Sequence, residues 1–219
     1  MPNHSSNRAI ILLILCALPA LPALSGCVPL GVIAAKMPPP TILPKYQLGG
    51  QSVGVMVWAD QGVLIDWPSL QLDVANSVQK LLAASKDKEM KGATFPVQPA
   101  SIVRWQQDHP ESEGSPVTMI APRLGVSRLI YIEVENFATR SDLTVDLYRG
   151  LATATVKVFE VKDGKADVGF AENGVRAAFP PKAPREGVPN AGDEKIYYGT
   201  VAGLSAEVGK IFLRHEEEE

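Results

Sequence analysis

The sequence predicts an α/β fold, a two-layer sandwich with a mixed sheet, in the order β-α-β-α-α-β-β-β-α. Three observations predict it. Apolar, strand-like runs stand at Ser52–Ala59, Ser127–Phe137 and Gly150–Val161. Two long stretches, Asp66–Ser85 and Asp193–His215, instead repeat their apolar residues at helical spacing. Strands alternate with helices in the first half of the chain and then run as a meander before the last helix.

Each element has a local reason. In Ser52–Ala59, Val53, Val55 and Val57 share one face while Met56 and Trp58 share the other, the pattern of a strand covered on both sides. Pro68 suits the first turn of the next helix, whose stripe is Leu70, Val74, Val78, Leu81 and Leu82. A short strand is expected over Thr94–Val97 and a short helix over Ala100–Gln107, stopped by Pro110. Ser115-Pro116 starts another helix that runs to a capping Gly125 and is kinked or shortened by Pro122.

The clearest strand is Ser127–Phe137. Ile130, Ile132 and Val134 face one way, and Tyr131, Glu133 and Glu135 the other. Asp163-Gly164 marks a hairpin turn between Gly150–Val161 and the returning strand Ala166–Phe179. Pro180–Gly192 reads as a surface loop. In the last helix Tyr197, Val201, Leu204, Val208 and Ile211 form the buried stripe, while Gly199 and Gly203 permit close packing against the sheet at some cost in helix propensity.

Composition limits the function classes. The chain has 219 residues, enough for one domain of ordinary size with short appendages. A hydrophobic fraction of 46% and a charged fraction of 21% are those of a folded protein. A net charge of −3 gives no reason to expect nucleic acid as a partner, because phosphate binding needs a positive surface. The two cysteines are Cys16 and Cys27, so the body of the chain can hold neither a disulfide framework nor a thiolate zinc site nor a cysteine nucleophile.

No catalytic signature is present: no GxSxG elbow, no phosphate-binding GxxxxGK[ST] loop, no HExxH and no GxGxxG after the first strand. No catalytic residue, metal site or cofactor is therefore expected. His109, with Asp108, Glu111 and Glu113, could form a weak metal cluster, but such groups crowd polar turns for solubility alone. Asp60 and Asp66 flank the loop after the first strand, where α/β sheets often bind ligands; a turn and a helix cap are the competing roles. Trp58, Trp67 and Trp105 could form an exposed recognition patch, or belong to the core.

The amino-terminal segment carries the most specific pattern. Met1–Arg8 is polar with one positive charge, and Ala9–Leu24 is apolar without a charge. This is the layout of a secretory signal, and its apolar run is short for a membrane span, which needs about 20 residues. Leu24-Ser25-Gly26-Cys27 follows and matches the bacterial lipobox at all four positions. That resemblance implies lipid attachment to the Cys27 sulfur, cleavage between Gly26 and Cys27, and acylation of the new amino terminus. Several acyl chains give stable attachment where one gives only marginal binding. Residue 28 is Val, not the Asp that tends to retain lipoproteins at the inner membrane of Gram-negative bacteria, so the outer membrane is favoured, with the protein facing the periplasm.

The organisation expected is therefore a signal peptide at 1–26, a lipidated cysteine and proline-rich tether at 27–50, one α/β domain at 51–215 and an acidic tail at 216–219. With its strand–helix progression and the segment Leu124–Phe137, the mature chain resembles a superfamily of periplasmic bacterial lipoproteins. Its members include the penicillin-binding-protein activator LpoB, the curli secretion lipoprotein CsgG and the amino-terminal domain of TolB. The resemblance implies an anticodon-binding-domain-like α/β fold and a non-enzymatic role in cell-envelope assembly. The chain departs from CsgG in lacking a spare pair of long amphipathic strands, and from TolB in lacking a propeller. The expected role is that of an adaptor or regulator that binds membrane lipid through acylated Cys27 and an envelope protein through its domain. The alternatives are a subunit of an export or transport assembly and a periplasmic ligand-binding protein or hydrolase.

Overall fold

Val53–Ala59 (β2), Arg128–Ser141 (β3), Thr144–Lys162 (β4) and Lys165–Phe179 (β5) form a four-stranded sheet in the order β2-β3-β4-β5. The computed structural model describes residues 40–110, 114–141 and 144–216. β2 and β3 are parallel, with Val55 opposite Ile130 and Val57 opposite Ile132, while the β3–β4 and β4–β5 pairs are antiparallel. The expected α/β fold with a mixed sheet is the one observed. Parallel pairing needs a long crossover, and residues 60–127 supply it. They carry Gln61–Asp66 (α1), Leu70–Ala84 (α2), Pro99–Asp108 (α3) and Val117–Ile120 (α4). Asp193–Phe212 (α5) follows the meander.

One face of the sheet is sealed. Val53, Val55 and Val57 of β2, Ile130, Ile132 and Val134 of β3, and Ala154, Val156 and Val158 of β4 are all inaccessible to solvent on that face. α2 and α5 cover it. α2 contributes Leu70, Val74, Ala75, Val78 and Leu82, whereas Leu81, expected in the stripe, is 37% exposed. Leu81 sits at the margin because it covers Gly209 of α5, where a Cβ would meet it. The stripe expected of α5 is buried throughout. Gly199 faces the Phe179 ring and Gly203 lies near Ala177, so both glycines do allow the helix to approach β5 closely.

Turn chemistry places the remaining elements. Asp163 and Gly164 both have positive φ, 52° and 74°, and join Lys162 to Lys165 as a two-residue turn that matches strand twist. Pro122 ends α4, since it removes a backbone donor, and the chain continues as one 3-10 turn, Ala121–Leu124, to a left-handed Gly125 at φ 68°.

Three expectations are corrected. Thr94–Val97 is not a strand: Thr94 makes one parallel bridge to Ser52, and Pro96 has no N–H with which to extend it. β4 begins at Thr144, before the predicted Gly150, so that Thr144–Arg149 lengthen its hairpin with β3. Residues 41–50, grouped by composition with the tether, are packed on the domain. Thr41–Ile42 (β1) pairs with His215–Glu216 (β6), Leu48 is fully buried, and the backbone N–H groups of Lys45 and Tyr46 donate to the Ile211 carbonyl at 2.8 and 3.1 Å. That last contact satisfies an orphan carbonyl at the carboxyl end of α5.

Candidate functional site

The second face of the sheet is built differently, and its difference makes a cavity. Met56, Leu129, Tyr131 and Phe159 pack there against Ile102 of α3, Ile120 of α4 and Val126. α3 and α4 have only 10 and 4 residues, too few to span the sheet as α2 and α5 do. A cavity of about 440 Å³ remains beside the carboxyl end of β2 and the Tyr131–Glu133 stretch of β3. In open α/β sheets this is where ligands bind, because successive loops diverge there.

The floor is apolar, from Met56, Leu64, Val117 and Ile120. Trp58 and Tyr131 supply aromatic walls, and Gln71, Gln106, Gln107 and Glu133 supply the polar groups. β2 is an edge strand, which explains one of these placements. Its outer backbone groups need partners, and Gln106 Nε2 donates to the Val57 carbonyl at 3.1 Å. That bond fixes the Gln106 amide, whose Oε1 is buried and has no hydrogen-bond partner among the described residues. Thr94 serves the same edge, accepting from Val53 N at 2.8 Å.

Charge at the site is nearly balanced. Glu133 lies 3.5 Å from Lys157 Nζ across the β3–β4 pair. Burial, with a smaller contribution from Glu133, pushes the Tyr131 phenol up to about 12. Tyr131 therefore stays a neutral O–H donor at every physiological pH. No hydrogen-bond partner is seen for it among the described residues. Among the described residues the cavity thus presents a phenol, three carboxamides, the Ser115 side chain and a paired carboxylate above an apolar floor. Such a set can bind and orient a ligand.

The sequence-predicted residues separate cleanly. Gly26 and Cys27 lie outside the described residues, as do Glu111 and Glu113. Asp60 is a helix cap: its Oδ1 accepts from Gly62 N at 2.8 Å at the start of α1. Asp66 ends α1 and is exposed. His109 stacks on Trp105 at 4.6 Å and its Nδ1 lies 2.9 Å from the Trp105 carbonyl. Among the described residues no group of three His, Cys, Asp or Glu side chains is placed to hold a metal ion, and no helix is long and apolar enough to cross a membrane.

The tryptophans do not form one patch. Trp67 belongs to the sealed core, stacked on Tyr197 at 5.2 Å and edge-on to Phe137 at 5.8 Å. Trp58 lines the cavity. Trp105 packs at the margin of the second face.

No protein-family model matches the chain, and no curated protein does. Coarse similarity to solved structures exists. Dodecameric PelC from Paraburkholderia phytofirmans is 13% identical over 77% of this chain and 96% of its own, with a TM-score of 0.40. The hypothetical protein CT253 from Chlamydia trachomatis is 14% identical over 72% of this chain and 98% of its own, with a TM-score of 0.38. Overlap at this level fixes neither a family nor the role of any residue.

Sequence reasoning placed Trp58 with Met56 on one face of β2, and Tyr131 with Glu133 on one face of β3, but did not join those faces and missed Gln71, Gln106 and Gln107. Glutamines carry no motif. The available signal was the pair Gln106-Gln107 at the end of a short helix following an edge strand, where an amide is needed to cap backbone.

Proposed function

We propose that this protein is a lipoprotein, held to a bacterial membrane by acylated Cys27, whose α/β domain acts in the periplasm as a non-enzymatic adaptor or regulator of cell-envelope assembly. The observation that carries this reading is Leu24-Ser25-Gly26-Cys27 placed directly after an uncharged apolar run. The absence of any further cysteine from the chain body supports it, since a thiol at Cys27 would have no partner there. Val28 favours the outer membrane. The tether proposed here is the stretch before the folded unit that begins at Pro40, residues 28–39. Fully extended at about 3.3–3.6 Å per residue, that length reaches on the order of 40 Å. The domain would work close to the membrane, on an envelope protein within that distance.

Labelled palmitate tests the anchor. The wild type should take up label and fractionate with membranes, and Cys27→Ala should lose both. Absence of label from the wild type, or label retained by the variant, would end the lipoprotein reading. Crosslinking in intact cells tests the role. A discrete heterologous envelope protein captured through the domain supports an adaptor, whereas a ladder of self-crosslinked chains would replace the adaptor by a subunit of an export assembly.

A further inference from the structure

The cavity beside β2 and β3 has features that the adaptor reading does not use. Its volume of about 440 Å³ falls within the range of small-molecule sites, about 300–1,000 Å³. Among the described residues that line it, Glu133 alone is ionised, and Lys157 already faces it at 3.5 Å. Among the described residues a charged ligand would find no free counter-charge, and burying it unpaired would be costly. A wholly apolar ligand would cover three carboxamides and a phenol without satisfying them, which is also unfavourable. The lining therefore calls for a neutral ligand that has both an apolar face and a dense set of hydroxyl or amide groups.

We infer that this cavity is a binding site for a neutral saccharide of about one or two pyranose rings. A pyranose offers a face of C–H groups, which packs on aromatic rings such as Trp58 and Tyr131, and a rim of hydroxyls that both donate and accept. Each carboxamide carries an acceptor oxygen and two N–H donors, so Gln71 and Gln107 can each serve two neighbouring hydroxyls. Gln106 Nε2 stays on the Val57 carbonyl and holds that side chain in place at the cavity wall. The Tyr131 O–H donates to a ring or glycosidic oxygen. The site is independent of the anchor, so loss of Cys27 acylation would leave it intact.

The test uses the full mature chain in a detergent without a sugar headgroup, with cellobiose and N,N′-diacetylchitobiose as probes. Binding is read by saturation-transfer NMR and by titration of tryptophan fluorescence. At least one probe should bind with a dissociation constant in the millimolar range or tighter and alter Trp58 emission. Tyr131→Phe removes one hydrogen bond and should weaken binding by about 3- to 10-fold. Gln107→Ala, at an exposed position, should weaken it by a similar factor without affecting folding. Val168→Ala, on the far edge strand, should change nothing. Failure of both probes to bind overturns the assignment, as does binding that neither Tyr131→Phe nor Gln107→Ala weakens. Uptake of anilinonaphthalene sulfonate at this site that neither sugar displaces would likewise overturn it in favour of an apolar ligand.

Discussion

The two faces of the sheet are made from the same three strands yet do opposite things. On one, Val and Ile from β2, β3 and β4 meet helices of 15 and 20 residues, and the buried polar groups of α5, Thr200 and Ser205, bond their hydroxyls back to the Ile196 and Val201 carbonyls. On the other, Met56, Trp58, Tyr131 and Glu133 meet helices of 10 and 4 residues, and a cavity remains. Helix length decides the outcome. A helix rises about 1.5 Å per residue, so α5 spans about 30 Å while α4 spans about 6 Å. The closed face holds the fold, and the open face is free to bind. The contrast gives an ordered set of expectations.

The largest effect belongs to the sealed face. Leu204 of α5 is fully buried in it, and Leu204→Ala should cost about 2–5 kcal/mol in urea unfolding. A cost below about 1 kcal/mol would show that this face is loosely packed and would remove the contrast.

Next come the two glycines of α5, which should respond with opposite sign. A Cβ at Gly199 runs into the Phe179 ring, so Gly199→Ala should destabilise by about 1–3 kcal/mol even though alanine is the better helix former. At Gly203 the nearest atom to a new Cβ is Ala177 Cβ at 3.5 Å, an ordinary contact, so Gly203→Ala should stabilise by up to about 1 kcal/mol. Equal signs would mean that helix propensity, not approach to β5, sets both values.

A smaller effect lies at the junction of the β3–β4 hairpin with α5. Asp193 begins the helix, accepts from Thr139 Oγ1 at 2.8 Å and pairs with Arg140 at 2.5 Å. The Arg140 guanidinium is the main cause that holds the Asp193 carboxyl below its ordinary value, helped by the Thr139 hydrogen bond and opposed by burial. A lowered folded-state pKa means stability that is present above the unfolded value, about 3.9, and is lost as pH falls through the folded value. The side chains are 43% and 42% exposed, so water screens the pair and its contribution is small. Asp193→Asn should therefore flatten the fall in stability between neutral pH and pH about 3. An unchanged acid limb would remove this pair from the account.

The smallest effect is expected on the open face. No partner is seen for the Tyr131 hydroxyl among the described residues, so Tyr131→Phe should shift unfolding by no more than about 0.5 kcal/mol. A loss above about 1.5 kcal/mol would mean that the hydroxyl is structural and that the cavity is part of the core.

Much of the fold was legible because periodicity reports burial directly. Val53, Val55 and Val57 announced a covered strand, and Tyr197, Val201, Leu204, Val208 and Ile211 announced a helix on a sheet. Asp163-Gly164 announced its turn because only a few residue types tolerate positive φ. What was not legible depends on contacts between distant residues. Leu81 follows the helical spacing, and only the neighbouring Gly209 shows why it stays at the edge. Arg214 binds the Glu89 carboxylate through Nε and Nη2 at 3.0 and 2.8 Å, a pairing no local pattern encodes. Lys45 and Tyr46 look like linker by composition, yet they cap α5 from the other end of the chain. The cavity was half legible: its strand residues follow from alternation, while its glutamines are defined only by the edge of β2 and the shortness of α3.

Everything on either face matters only where the domain is held, so the anchor is the central claim. The intact mass of the protein, purified from the cells that make it, tests this most directly. The account predicts a chain that begins at Cys27 and carries lipid on both its sulfur and its amino group. A chain that retains residues 1–26, or one that begins at Cys27 with a free thiol, would contradict it.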